Sequence, residues 1–405
     1  MILKKNKFIY SLPFKLFVAL ALGIVFGFLL SFFEGHVFCN VILNILITVK
    51  YIVGQFINFC VPLIIIGFVA PSISSLGNNA SKILAFSLLI AYTSSVGAAL
   101  MATFAGYFIL PFMDIKSEIE GLKSLPNIVF ELSIPQIMPV MSALFSSVMV
   151  GLAATWNKSQ YTINLLNEFQ KIVLSIVTKF LIPVLPILIG TTFFTLTYEG
   201  TITKQLPIFL MIVLIVILGH YIWTAFLYLI AGLYSCKNPL KIIKNYIPAY
   251  ITAIGTMSSA ATLSVAIDCA KKSQPTLRDD MINFGIPLFS NIHLCGSVMT
   301  ETFFVMAVSK ILYGSYPTVG NMILFCLLLG VFAIGAPGVP GGTVMASLGL
   351  ITGLLKFDTT GTALILTIFA LQDSFGTACN IISDGALTLI LTGYAEKNKI
   401  VQTEI

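Results

Sequence analysis

An all-α integral membrane protein is the fold class that this 405-residue sequence predicts, and three observations predict it. Hydrophobic residues make up 58% of the chain and charged residues 9%, with a mean hydropathy of +1.00, whereas soluble domains carry roughly 25% charged residues. Charge-free apolar stretches recur at spanning length. Two further apolar stretches in the second half are interrupted in their middles by Gly, Pro and small polar residues, as in helices that enter a membrane and turn back.

The apolar stretches 16–33, 51–76, 83–113, 132–157, 180–198 and 205–236 are each near or above the roughly 18 residues that cross a hydrocarbon core. Six spans are a minimum. Lys4, Lys5 and Lys7 ahead of an apolar run resemble a secretory signal, but no small-residue cleavage site follows and further spans do, so this segment reads as the first helix. Lys82, Lys158, Lys237, Lys241, Lys244, Lys271, Lys272, Arg278, Lys397 and Lys399 share one alternating set of loops with the N-terminal lysines. Glu34, Asp114, Glu118, Glu120, Glu131 and Glu199 fall in the other set. The positive-inside rule then puts both termini in the cytoplasm. The net charge of +6 reflects this topology, and with no basic-aromatic stripe it gives no sign of nucleic-acid binding. Seven Cys, scattered without paired-ligand spacing, speak against a disulfide framework or a zinc site.

The first interrupted stretch, about 246–270, has Gly255–Thr262 (GTMSSAAT) at its middle and a basic loop at each end, which describes a re-entrant hairpin rather than a span. The second, about 320–356, breaks at Gly335–Gly342 (GAPGVPGG), where Pro lacks a donor and each Gly costs a helix about 1 kcal/mol. It enters from the opposite side. The alternative, a pair of kinked spans, puts the basic loops on opposite faces. Broken backbone at membrane depth survives where it is buried in protein or lines a wet cavity, and two breaks in the same half point to a binding site between them.

Polar groups cluster near those breaks. The segment 287–301 (PLFSNIHLCGSVMTE) sets Asn291, His293, Cys295, Gly296, Ser297 and Glu301 in an apolar helix, which reads as partly unwound. Asp373, Asn380 and Asp384, at spacings of seven and four, share a helix face. Each buried carboxylate needs a cation, whether a metal ion, a proton or a substrate ammonium; Lys310 and Lys356 sit too near helix ends to serve. The single Arg of the chain, Arg278, lies in a polar loop, so no guanidinium in the membrane can fork onto a second carboxylate. A spacing of eleven from Asp373 to Asp384 on one helix, with no second carboxylate helix, makes an aspartyl-protease dyad a poor reading, so no enzyme is expected. His36, His220, Trp156 and Trp223 read as structural, and Cys295 as a small buried residue.

In the order TMSSAATL hairpin, IPLFSNIHLCGS helix, APGVPGG hairpin and LQDSFGTACNIISD helix, the chain resembles the dicarboxylate/amino acid:cation symporter family over essentially its full length. The LQDS start and the Asn-to-Asp spacing resemble most the bacterial sodium/serine-threonine symporters. The resemblance implies eight transmembrane helices plus two re-entrant helical hairpins in one membrane domain, 1–405, of an elevator-type transporter. Segments 1–76 and 126–200 are then mainly scaffold and trimerisation helices, and 82–113 and 205–395 mainly the transport unit. It implies a homotrimer in the bacterial cytoplasmic membrane, among lipid, that couples sodium to uptake of a small neutral amino acid such as serine or threonine. A proton-coupled or exchange-mode carrier of another amino acid or of a dicarboxylate is the alternative.

Position by position, the resemblance makes Asp373 the partner of the substrate amino group, Asn380 a ligand of its carboxylate, and Asp384 with Asn380 a sodium site completed by backbone carbonyls. Ser258 and Ser259 fall at the first tip, and Val339 and Gly341 in the second, which acts as a lid. Ser297 and Thr377 line the pocket. Gly376 stands where carriers of acidic substrates have an Arg, which implies a neutral side chain on the solute. The sequence also departs from the family. The NMDGT sodium motif is HLCGS here, so His293 replaces an Asn ligand and Cys295 an Asp, and Met257 stands where the first hairpin usually carries Arg. Glu301 matches a Glu implicated in proton coupling in eukaryotic members. A His and a Glu enter while sodium ligands leave, so His293 is a candidate metal ligand, and His293 and Glu301 are candidate proton-handling groups.

Overall fold

The computed structural model describes residues 12–33, 36–76, 82–113, 125–126, 128–336, 338 and 340–400. Among them there are helices and turns but no strand. Lys4, Lys5, Lys7, Glu34, Asp114, Glu118, Glu120 and Val339, all used above, lie outside the described residues.

The first half comprises α1 (Leu12–Ser31), α2 (Val37–Leu76), α3 (Lys82–Ile109), α4 (Val140–Trp156), α5 (Gln160–Ile176), α6 (Ile182–Glu199) and α7 (Thr201–Ser235). Two boundaries differ from the hydropathy reading. The stretch expected as a helix from 132 becomes helical only at Val140, with Pro139 extended at its N-cap; Pro135 and Pro139 remove donors and bias the preceding residues towards extended backbone. The helix expected from 180 instead starts at Gln160, because α5 runs into α6 through a π turn, Val177–Leu181. Its polar face, with Glu168 and Lys171, hides from a hydropathy window the buried Ile163, Leu166 and Val173 on its other side.

The second half is α8 (Leu240–Asn245), α9 (Ile247–Thr256), α10 (Ser259–Lys271), α11 (Asp279–Ile292), α12 (Cys295–Tyr313), α13 (Val319–Gly335), α14 (Gly342–Gly349) and α15 (Thr359–Lys397). Among the described residues, six helical stretches are long and apolar enough to cross a membrane: Val37–Phe68, Lys82–Phe112, Gln160–Glu199, Ile208–Ser235, Asp279–Tyr313 and Thr359–Lys397. On α7, Leu214, Leu218, Ile222, Leu229 and Leu233 are exposed at helical spacing, a face suited to lipid. α12, by contrast, is buried along nearly its whole length.

The two interrupted stretches fold back on themselves. At the base of the first hairpin, α9–α10, Asn245 Nδ2 donates to Ser273 Oγ at 3.0 Å. That base lies beside the end of α15, where Lys237 Nζ bonds Glu396 Oε1 at 2.6 Å and the Thr276 carbonyl at 3.3 Å. At the base of the second, α13–α14, the Tyr313 hydroxyl donates to Asp358 Oδ1 at 2.7 Å, just before α15 begins. The 39 residues of α15 separate those bases by about 58 Å at 1.5 Å per residue. The hairpins therefore approach from opposite ends, and their tips meet: Ser258 Oγ donates to the Gly338 carbonyl at 2.7 Å.

Packing sorts the helices. α1 lies along α6, and α2 against α4, α5 and α6, whereas α15 packs on α12, α7, α9 and α11, and α12 on α3.

Candidate binding site

The first tip turns at Met257, which ends α9 in the left-handed region (φ 52°), and Ser258, whose hydroxyl caps α10 by accepting the Ala261 amide at 3.2 Å. The second tip ends at Gly341, also left-handed (φ 72°), where a Cβ would be strained. That glycine's amide donates to Asp373 Oδ2 at 2.6 Å, and Thr377 Oγ1 lies 3.4 Å from Asp373 Oδ1. Asp373 is 3% exposed. The second tip is thus latched to α15 by a charge-assisted hydrogen bond.

Between α11 and α12 the helix breaks at His293 and Leu294, both with extended φ near −120°. The freed amides of Gly296 and Ser297 both donate to Asn380 Oδ1, at 2.8 and 3.3 Å, and Asn380 Nδ2 donates to Ser297 Oγ at 3.0 Å. Glycine is required at 296 by close approach: an added Cβ would stand 2.5 Å from Cys379 Cβ and from the Gly376 carbonyl. One turn on, Asp384 Oδ1 lies 2.9 Å from His293 Nδ1, Asp384 Oδ2 accepts the Ser290 hydroxyl at 3.2 Å, and His293 Nε2 lies 2.8 Å from Ser94 Oγ on α3. Asp384, His293 and Glu301 are fully buried. Ser347 Oγ donates to Glu301 Oε1, and Glu301 Oε2 has no partner among the described residues.

A small cavity of about 10 Å³ lies between the tips, lined by Met257, Ser259, Leu294, Ser297, Gly338, Thr343, Asp373, Thr377 and Asn380. Of the residues expected from sequence, Ser259, Ser297, Asp373, Thr377 and Asn380 come together here. Ser258 ties the tips from outside the lining, Gly341 latches Asp373, and Val339 lies outside the described residues. Gly376 does not line the cavity; an added Cβ there would stand 3.3 to 3.4 Å from the Ser297 Cα, N and Oγ. Asp384, His293 and Glu301 form a second layer. Arg278 is far from all of this, forked onto Asp280 at 3.0 and 2.6 Å. Two larger cavities of about 200 and 370 Å³ lie elsewhere, lined respectively by Lys50 with Thr359 and by Trp223 with Phe226. Neither contains a carboxylate, so chemistry rather than size selects the site.

Sequence reasoning missed Ser94, Ser290 and Thr343; His220, read as structural, braces the start of α12, its Nε2 3.1 Å from the Gly296 carbonyl and 2.9 Å from Thr300 Oγ1. The run of Thr93, Ser94 and Ser95 in an apolar helix was the available signal for the first of these.

A family model described as the sodium:dicarboxylate symporter family matches residues 12–394. The chain belongs to that family. Its similarity to curated members is local. It is 30% identical over 167 residues, 40% of each chain, to the serine/threonine transporter SstT of Acinetobacter baylyi. It is 27% identical over 166 residues, 40% of this chain and 32% of the relative, to the putative sodium-dependent excitatory amino acid transporter glt-4 of Caenorhabditis elegans. Human neutral amino acid transporter B(0) is 25% identical over 193 residues, 47% of this chain and 35% of that protein. The matched part thus spans about a third to two fifths of these relatives. Membership in a symporter family, together with the apolar helices, places the chain in a membrane and among transporters rather than enzymes.

Proposed function

We propose that the chain is a secondary active symporter that couples inward sodium flow to uptake of a small neutral amino acid such as serine or threonine. The observation that carries this reading is the cavity's charge. Among the described residues, Asp373 is the one ionisable side chain in its lining, and no Lys or Arg joins it. A substrate ammonium satisfies that carboxylate, whereas a second carboxylate on the solute meets no cation and is repelled. Two of the similar proteins, a serine/threonine transporter and a neutral amino acid transporter, are named for that substrate class, while glt-4 is named for excitatory amino acids.

Mechanism follows from the latch. An amino acid bound at Asp373 compensates a carboxylate that closure of the second tip buries, so binding favours the closed state and closure favours binding. Cation and solute then raise each other's affinity. Eight spans with two re-entrant hairpins, both termini cytoplasmic, complete this reading. So does an elevator-type division in which 1–76 and 126–200 form a trimeric scaffold while 82–113 and 205–395 carry the site across. The closer packing of α1, α2, α4, α5 and α6 on one another than on α13, α14 and α15 supports that division. A second reading, proton coupling, rests on Glu301, a fully buried carboxyl group with one oxygen unpartnered among the described residues.

Proteoliposome uptake of labelled serine and threonine, with sodium and pH gradients imposed separately, tests the proposal. Uptake driven by sodium and outcompeted by neutral amino acids is expected. Aspartate or succinate competing as well as serine refutes the substrate class, and indifference to sodium refutes the coupling ion.

A further inference from the structure

Asp384 already has its partners. One carboxylate oxygen faces His293 Nδ1 at 2.9 Å and the other accepts the Ser290 hydroxyl at 3.2 Å. With Asp384 ionised, the His293 nitrogen that faces it carries its hydrogen towards the carboxylate. The ring is also held from behind, because its Nε2 lies 2.8 Å from Ser94 Oγ on α3, and both His293 and Asp384 are 0% exposed. Among the described residues no other side chain hydrogen-bonds this carboxylate, although the Tyr228 and Tyr246 hydroxyls and the Cys295 and Cys379 thiols lie near enough to feel its charge. Thr388 Oγ1 donates to the Asp384 backbone carbonyl, not the carboxylate, and Tyr228 on α7 donates to the Ile382 carbonyl. Asp384 forms its one ion pair among the described residues with His293, and none with Lys or Arg. Asn380, the other side chain expected at a sodium ion, has its oxygen engaged by two amides.

Hard cations are held by several oxygens with lone pairs to give. An N–H aimed at the carboxylate offers an ion there the wrong polarity. As arranged, these residues do not fit a sodium ion.

We propose that the imidazole of His293, fixed by Ser94, is the resident partner of Asp384 in place of a coupling sodium ion, so that amino-acid binding requires no sodium at Asp384. Any sodium that drives transport then binds at other oxygens. The binding readout below rests on the amino-acid symporter reading; the geometry does not.

The experiment uses the purified full-length protein in nanodiscs, in sodium chloride and in choline chloride at equal ionic strength. Two quantities are read: the dissociation constant for serine, and the unfolding midpoint without amino acid. His293→Asn replaces the imidazole by an amide whose oxygen can face a cation. It is expected to gain a sodium enhancement of serine affinity at least about 5-fold larger than that of the wild type, the low end of ordinary two-ligand coupling. Its midpoint rises in sodium by more than the wild type's. Ser94→Ala, which frees the ring to turn, moves both quantities in the same direction by less, a change that mere loss of packing does not produce. A gained response cannot come from a misfolded variant. Equal sodium responses in wild type and His293→Asn, whether both large or both absent, overturn the proposal. If His293→Asn has lost serine binding, the sodium-dependent midpoints of Ser94→Ala and His293→Gln decide in the same way. If the wild type binds no amino acid, the symporter reading fails, and the midpoints still decide this one.

Discussion

Asp373 does two jobs that one substitution separates. Its Oδ2 holds the second tip through the Gly341 amide at 2.6 Å, while its negative charge is what a substrate ammonium needs. Asp373→Asn keeps an oxygen acceptor for the Gly341 amide and removes the charge. Removing one side of a desolvated charge pair costs about 2 to 5 kcal/mol, and with Asp373 3% exposed there is little solvent to soften the loss. At 1.4 kcal/mol per decade, serine affinity should fall by a factor of about 30 to several thousand. Asp373→Ala loses the latch as well, and should additionally leave the tips further apart. Thr377→Val serves as the control: its bond to Asp373 is long, at 3.4 Å, and should contribute less than about 1 kcal/mol. The assay is calorimetric or thermal-shift titration of purified, folded variants with serine, alongside a distance measurement between spin labels on the two hairpins. Serine affinity in Asp373→Asn within a few-fold of the wild type would refute the assignment of the ammonium to Asp373.

Three further outcomes are expected. Gly296→Ala should destabilise the protein by about 1 to 3 kcal/mol through overpacking, because its Cβ would stand 2.5 Å from Cys379 Cβ and the Gly376 carbonyl; an unchanged unfolding midpoint contradicts the packing of α12 on α15. Ser258→Ala removes both the α10 cap and the bond to the Gly338 carbonyl. It should weaken the closed tip by about 0.5 to 2 kcal/mol, seen as a broader distance distribution between labelled hairpins, and an unaltered distribution shows that the contact does not hold the tips. Glu301→Gln should abolish any uptake driven by a pH gradient alone while leaving serine affinity near normal, and a pH-driven component of undiminished size removes Glu301 from proton coupling.

The two helix breaks were legible in sequence because a helix cannot run through GAPGVPGG or keep small polar residues at its midpoint without cause. The register of Asp373, Asn380 and Asp384 was legible because 3.6-residue periodicity fixes it locally. What could not be read was tertiary. Nothing near His293 in the chain announces Ser94, 199 residues away, and nothing near Gly338 announces Ser258, 80 residues away. Hydropathy failed at α4 and α5 for different reasons: prolines delayed the first helix within an apolar stretch, and a charged outer face concealed the second.

The Asn380 side chain has a consequence for how an anion is received. The start of α12 concentrates partial positive charge on its free amides, yet those of Gly296 and Ser297 point at the Asn380 carboxamide oxygen rather than into the cavity. The carboxamide works as an adaptor, since its nitrogen passes donor character on to Ser297 Oγ, a hydroxyl that lines the cavity and is left with a hydrogen to give. A solute carboxylate there feels the pole of α12 at second hand, through two short side chains that can reorient as it arrives and departs. Direct seating on the helix end would favour retention of an anion; an intermediary of neutral rotors favours its release, as a carrier that must let go on the far side requires.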